Sequence, residues 1–157
     1  MTYERTIYEA VLDARYEVRF QELQAKLFAR ANLFCTWLAL LSTSTAFAGT
    51  LNKNQALTTA AGAVITALGF LSILVDFQAR RCAHEAQRKR YLELVANASG
   101  MTLEAIDAEL ARLAIDDPPA IESLKMKAFN DNLLSNGRDE AVKPLSRFAR
   151  ALAVFVG

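Results

Sequence analysis

Two stretches of the chain carry no Asp, Glu, Lys, Arg or His: Ala31 to Asn52 and Asn54 to Val75, 22 residues each, with Lys53 alone between them. As helix, such a stretch rises about 33 Å, close to the hydrocarbon thickness of a bilayer. A helix in a soluble core usually turns one side to water and shows charge there. The pattern predicts two membrane spans, 31–52 and 54–75, with "LNKNQ" (51–55) as the tip of a hairpin. The alternative is a soluble all-α protein that buries the same hairpin.

The remaining chain also reads as helix. Over 3–30, Ile7, Val11, Ala14, Val18, Ala25 and Phe28 recur at three- and four-residue spacing, with Glu, Arg and Gln elsewhere. This predicts an amphipathic helix entering the first span without a break. The second span is expected to continue in the same way through a basic helix over 76–99, stopping near Gly100. A tail over 102–156 follows. Thr102 caps a helix reaching Ile115. "DDPP" (116–119) then breaks the chain, Pro118 or Pro119 starts a helix bearing Ile121, Leu124, Phe129 and Leu133, and Gly137 stops it. In the last helix Leu145, Phe148, Leu152 and Phe155 share one face, and Lys143, Arg147 and Arg150 another. It is suited to lie on an anionic membrane surface or to pack on the other helices. The expected fold is all-α, one domain over 1–157: a two-span transmembrane helical hairpin with long cytoplasmic helical extensions and a small cytoplasmic helical tail.

Charge sets the expected orientation. Arg15, Arg19, Lys26 and Arg30 precede the first run, and Arg80, Arg81, Arg88, Lys89 and Arg90 follow the second. Basic residues gather at cytoplasmic ends of spans, so both termini are expected in the cytoplasm of a cell with the hairpin in its inner (plasma) membrane. The charged first thirty residues do not read as a signal peptide. Pairing the spans about Lys53 sets Arg30 opposite Asp76 at the inner boundary, where the two either pair or reach water separately. The composition is 53% hydrophobic and 22% charged with a net charge of +1. That balance does not point to nucleic acid.

Little in the chain suggests chemistry. His84 is the only histidine; it sits in a basic stretch and is expected on a solvated helix face. No phosphate-binding glycine loop is present. Cys35 and Cys82 lie at levels roughly 16 Å apart in the expected pairing, too far for a bridge. "NAS" (97–99) would face the cytoplasm and is discounted as a glycosylation site. No nucleophile–base pair is recognisable. Neither an enzyme nor a cofactor is expected.

The spans are more informative. Asn32, Thr36, Ala39, Thr43, Ala46 and Thr50 form a stripe about 80° wide in which every member is small or polar. Thr58, Gly62, Thr66, Gly69, Ser72 and Asp76 form a comparable one in the second span. Such stripes zip helices together, within the hairpin or between subunits, or line a hydrated path.

A cytoplasmic helix running into a tight two-span hairpin, then a basic helix and a helical tail with a "DPP" turn, an asparagine-bearing helix and a glycine stop, resembles the SLATT family. The likeness runs through "RANLFCTWLALLSTSTAFAGTLNKNQALTTAAGAVITALGFLSILVDF" and "AIDDPPAIESLKMKAFNDNLLSNG". SLATT proteins are two-transmembrane effector domains of bacterial conflict and anti-phage systems. The resemblance implies a homo-oligomer that opens a pore in the cell's own membrane once a partner senses infection. No nucleotide-sensing domain is read in these residues, so the trigger is expected to be a separate molecule. The competing expectation is a non-conducting membrane anchor whose cytoplasmic helices bind a partner.

Overall fold

The structure is a computed structural model describing residues 5–157. No strand occurs among them. Six α-helices follow in order: α1 (Ile7–Leu51), α2 (Gln55–Val75), α3 (Phe77–Asn97), α4 (Leu103–Ile115), α5 (Lys125–Ser135) and α6 (Arg147–Val156). Single 3-10 turns occur at Ala98–Gly100, Glu122–Leu124 and Asp139–Ala141. Residues 3 and 4, where the first helix was expected to begin, lie outside the described residues. Thr6 and Glu9 start α1 reciprocally: the Thr6 hydroxyl accepts from the Glu9 N–H, and the Glu9 carboxylate accepts from the Thr6 N–H at 2.9 Å.

Two helical stretches, one in α1 and one starting at Gln55, are long and apolar enough to cross a membrane. Only 11% of each apolar stretch is buried within the chain. A core helix of a soluble monomer would be mostly covered, so burial of this hairpin inside a single soluble chain is not what the fold shows.

The chain divides into two compact units: Phe28–Arg80, and Met1–Leu27 together with Arg81–Gly157. In the second unit, Ala10, Ala14, Tyr91, Leu94, Ala98, Ile106 and Leu113 form one apolar cluster. Phe20, Leu23, Leu27, Leu124, Ala128 and Val156 form another. The N-terminal part of α1 is thus packed by α3, α4, α5 and α6.

Three expectations are corrected here. Helicity does not run on from α2 into α3. Asp76 adopts a left-handed conformation (φ 44°), its N–H closes α2 on the Ser72 carbonyl, and its carboxylate accepts the Ala79 N–H at 3.1 Å to open α3. Aspartate tolerates this backbone and caps well, so a break needs neither Gly nor Pro. Neither Pro118 nor Pro119 starts a helix either. Ile121 is extended, because the Gln24 side chain both donates to its carbonyl (2.9 Å) and accepts its N–H (3.0 Å), so helix begins only at Lys125.

The third correction is the phase of α6. Ser146 caps it, and the buried residues are Ala149 and Val156, with Leu152 packed beside them. Phe148 stands outward at 62% exposure. The small Ala149 permits the close approach that a phenylalanine would block. At the other end of the tail, Gly137 (φ 68°) ends α5, its N–H bonded to Leu134 and that of Arg138 to Leu133.

Candidate functional site in the apolar hairpin

The hairpin tip is a tight turn. Lys53 takes a left-handed conformation (φ 54°), and the Asn54 N–H donates to the Gly49 carbonyl at 2.8 Å. The Asn54 side chain accepts the Leu57 N–H and so caps α2. Gly49 is needed here: a Cβ at that position would stand 2.7 Å from Thr58 Oγ1 and 3.1 Å from the Thr58 nitrogen.

From that turn the two helices pack along a seam. Leu38, Leu41, Ser42 and Thr45 of α1 face Leu57, Ala60, Ala61 and Val64 of α2 across a groove of about 260 Å³. Towards the other end, Phe28, Cys35 and Phe77 are buried together with Ala31, Leu68 and Val75 packed on them. The Arg80 guanidinium lies 5.8 Å from the centre of the Phe28 ring. Neither Cys35 nor Cys82 is in a disulfide.

The stripes predicted from sequence are partly offset from that seam. In α1 the seam runs through Cys35, Leu38, Ser42, Thr45 and Gly49, one residue before Thr36, Ala39, Thr43, Ala46 and Thr50. One residue rotates a helix face by about 100°. Thr36, Thr43 and Thr50 are exposed on the hairpin, and Asn32 is half-buried. In α2, Thr58 meets Gly49 at the seam, whereas a Cβ on Gly62 or Gly69 would meet nothing within 4 Å. Thr66 and Gly69 are exposed and Ser72 is half-buried. Within the hairpin Thr58 lies on the seam and Asn32, Ala39, Ala46, Gly62 and Ser72 are half-buried, whereas Thr36, Thr43, Thr50, Thr66 and Gly69 face outward. Both rows are rich in small residues at the same spacing, and nothing local tells a seam from its neighbour.

The hydroxyls do not reach across either. Those of Thr36, Thr43, Thr50, Thr58 and Thr66 each donate to the carbonyl four residues earlier, at 2.8–3.1 Å. Ser44 and Thr45 do the same. Each hydroxyl proton is satisfied by its own helix while its lone pairs remain open to a neighbour or to water. Arg30 and Asp76 are both exposed. Asp76 serves as the helix junction described above.

The other unit holds polar groups that sequence patterning placed outside. Gln21, Gln24, His84 and Gln87 are buried. The Gln21 amide donates to Asp117 at 3.0 Å, which leaves its oxygen to accept from His84 Nδ1–H at 2.6 Å. His84 is fully buried, not solvated as expected. Tyr91 donates to the same Asp117 carboxylate at 3.2 Å, and Gln87 donates to the Leu113 carbonyl at 2.6 Å. Burial, then the nearby Asp117, pushes the Glu17 carboxyl up to about 7. Burial likewise raises Asp117, against the hydrogen bond from Tyr91 that favours its charged form. Glu17 lines a cleft of about 460 Å³ together with Tyr16, Tyr91 and Asp107. Arg5 crosses that cleft to pair with Asp13 and Asp107. No group of three His, Cys, Asp or Glu side chains suited to a metal gathers among the described residues. Set against known proteins, the chain matches no family model, no curated protein and no solved structure.

Proposed function

We propose that this chain is a non-enzymatic, homo-oligomeric membrane effector of the SLATT type, conducting when a separate partner triggers it in bacterial anti-phage defence. The hairpin lies in the inner membrane, both termini are cytoplasmic, and Lys53 faces outside. One observation carries the reading: the row of Gly62, Thr66 and Gly69 and the row of Thr36, Thr43 and Thr50 lie off the hairpin's own seam, with open space at both glycines. Small and hydroxylated outward rows are what neighbouring subunits need to approach closely around a hydrated path.

The second reading, a non-conducting anchor, draws on the hydroxyl bonds. Each donor is already taken by its own backbone, which suits a lipid-facing or packing surface as well as a wet one. Ion flux through reconstituted vesicles separates the two. Thr66→Val keeps the shape and removes the hydroxyl, whereas Thr66→Ser keeps it. A hydrated lining loses flux with valine and retains it with serine while the oligomer stays intact. A packing surface makes valine nearly silent, since interhelical hydroxyl bonds average only about 0.6 kcal/mol. Absence of flux above empty vesicles under any trigger sinks the effector reading. Orientation is tested by Lys53→Cys in a background lacking Cys35 and Cys82. It should react with an impermeant thiol reagent in intact cells, and cysteines at Arg5 or Arg138 should not.

A further inference from the structure

We propose that the outward half of α6 docks on an anionic lipid surface, holding the helical body against the membrane that its own hairpin enters. This rests on the spanning reading only for the tether; the docking surface stands on separate observations. Leu152 and Val156 commit one half of α6 to the core formed by Phe20, Leu23, Leu27, Leu124 and Ala128, and Ala149 on the same side is buried. With about 100° per residue, Arg150, Val154, Arg147, Ala151, Phe155 and Phe148 follow one another around the other half. Val154 is 78% and Phe148 62% exposed. Large apolar groups left in water on a helix already packed on its opposite side need a second covering surface.

The charge around them selects its chemistry. The last acidic residue of the chain is Glu140, after which Lys143, Arg147 and Arg150 are the only charged side chains. Arg147 and Arg150 flank Val154 and lie on the opposite edge from the phenylalanines. A helix half with arginines towards one edge and phenylalanines at the other fits the boundary between acyl chains and anionic headgroups, where guanidinium groups reach phosphates while the phenylalanine side enters the apolar layer. Proximity is supplied by the chain itself. Leu27, on which α6 packs, stands four residues before the first uncharged run in the same helix. The chain itself thus tethers this element to the bilayer, and one short helix suffices where free binding would demand a second anchor.

The test uses the full chain in vesicles, with tryptophan as depth reporter. Phe148→Trp in a Trp37→Phe background, and Val154→Trp as an independent outward position, are compared in phosphatidylglycerol-rich and in phosphatidylcholine vesicles. Quenching by lipids brominated near the headgroup end of the acyl chain is set against quenching by aqueous iodide. Docking predicts a blue-shifted reporter, quenched by bromine and shielded from iodide in anionic vesicles. The docked fraction should be lower in phosphatidylcholine. Arg147→Gln and Arg150→Gln should each lower the ratio of docked to free by roughly fivefold. A reporter open to iodide in both membranes overturns the proposal. So does one shielded from iodide yet untouched by bromine, which would mean that protein covers this face. Native Trp37, read with bromines deeper in the acyl chain, tests the spanning segment on its own. If Trp37 stays unquenched, the membrane span fails, and position 148 still decides α6.

Discussion

In the Phe28–Arg80 hairpin the buried side chains are Phe28, Cys35, Ala61 and Phe77, and the hydroxyls bond within their own helices. In the helical body the buried set includes Gln21, Gln24, His84, Gln87 and Asn130, and these bond between elements. Asn130 is an example. Its amide donates to the Lys143 carbonyl at 2.7 Å and its oxygen accepts the Lys143 N–H at 3.0 Å, tying α5 to the segment ahead of α6. A helix that satisfies itself can live in a medium without water and can exchange neighbours at little cost. A body knit by directional buried bonds has one good arrangement, because each bond lost strands a polar group. The contrast suits a chain with an adaptable apolar hairpin and a rigid helical body.

The largest expected effect tests that rigidity. Leu23 is fully buried and Leu40 is exposed on the hairpin. Leu23→Ala should cost about 2–5 kcal/mol in detergent-solubilised protein by chemical denaturation. Leu40→Ala should stay within about 0.5 kcal/mol. Equal costs would mean that the hairpin is covered by something of comparable packing, and would erase the distinction.

Acid–base behaviour should follow the body alone. Glu17 is raised from 4.5 to about 7 in the folded protein. Between those values the folded chain keeps a proton that the unfolded chain has released, so the body is most stable at the acid end and loses stability as pH rises through 7. Glu17→Gln should flatten that slope and raise the denaturation midpoint at about pH 8 relative to wild type. A wild-type midpoint that rises over this window would show that Glu17 is ionised in the fold.

Asp76 and the glycines sharpen the hairpin side. Asp76→Ala should cost about 1–2 kcal/mol, losing both the cap and a side chain tolerant of left-handed backbone, whereas Asp76→Asn should be nearly neutral. If the two substitutions cost the same, the junction does not depend on capping. Gly49→Ala should destabilise the hairpin, since the Thr58 backbone must give way. Gly62→Ala meets open space and should stabilise the monomer by about 0.5–1 kcal/mol. A Gly62→Ala protein that loses its oligomer on sizing instead would identify this face as a subunit contact.

Much of the architecture was legible in the amino acids. The uncharged runs on either side of Lys53, the Thr102 cap and the Gly137 stop are local signals, and local signals act through backbone conformation and solvation, which each segment feels by itself. The sequence alone therefore determined an all-helical chain with two segments suited to a bilayer and a turn at 51–55. Which face of each helix is buried was another matter. The rows at Cys35 and Thr36 differ by one residue and are both rich in small side chains. Gln21 and His84 look like surface residues until Asp117 is brought beside them. The face of α6 depends on which of its residues, Phe148 or Ala149, turns inward with Val156 towards Leu23 and Leu124. These choices rest on the shape and bonding of a partner distant in sequence, so only the tertiary structure decided them.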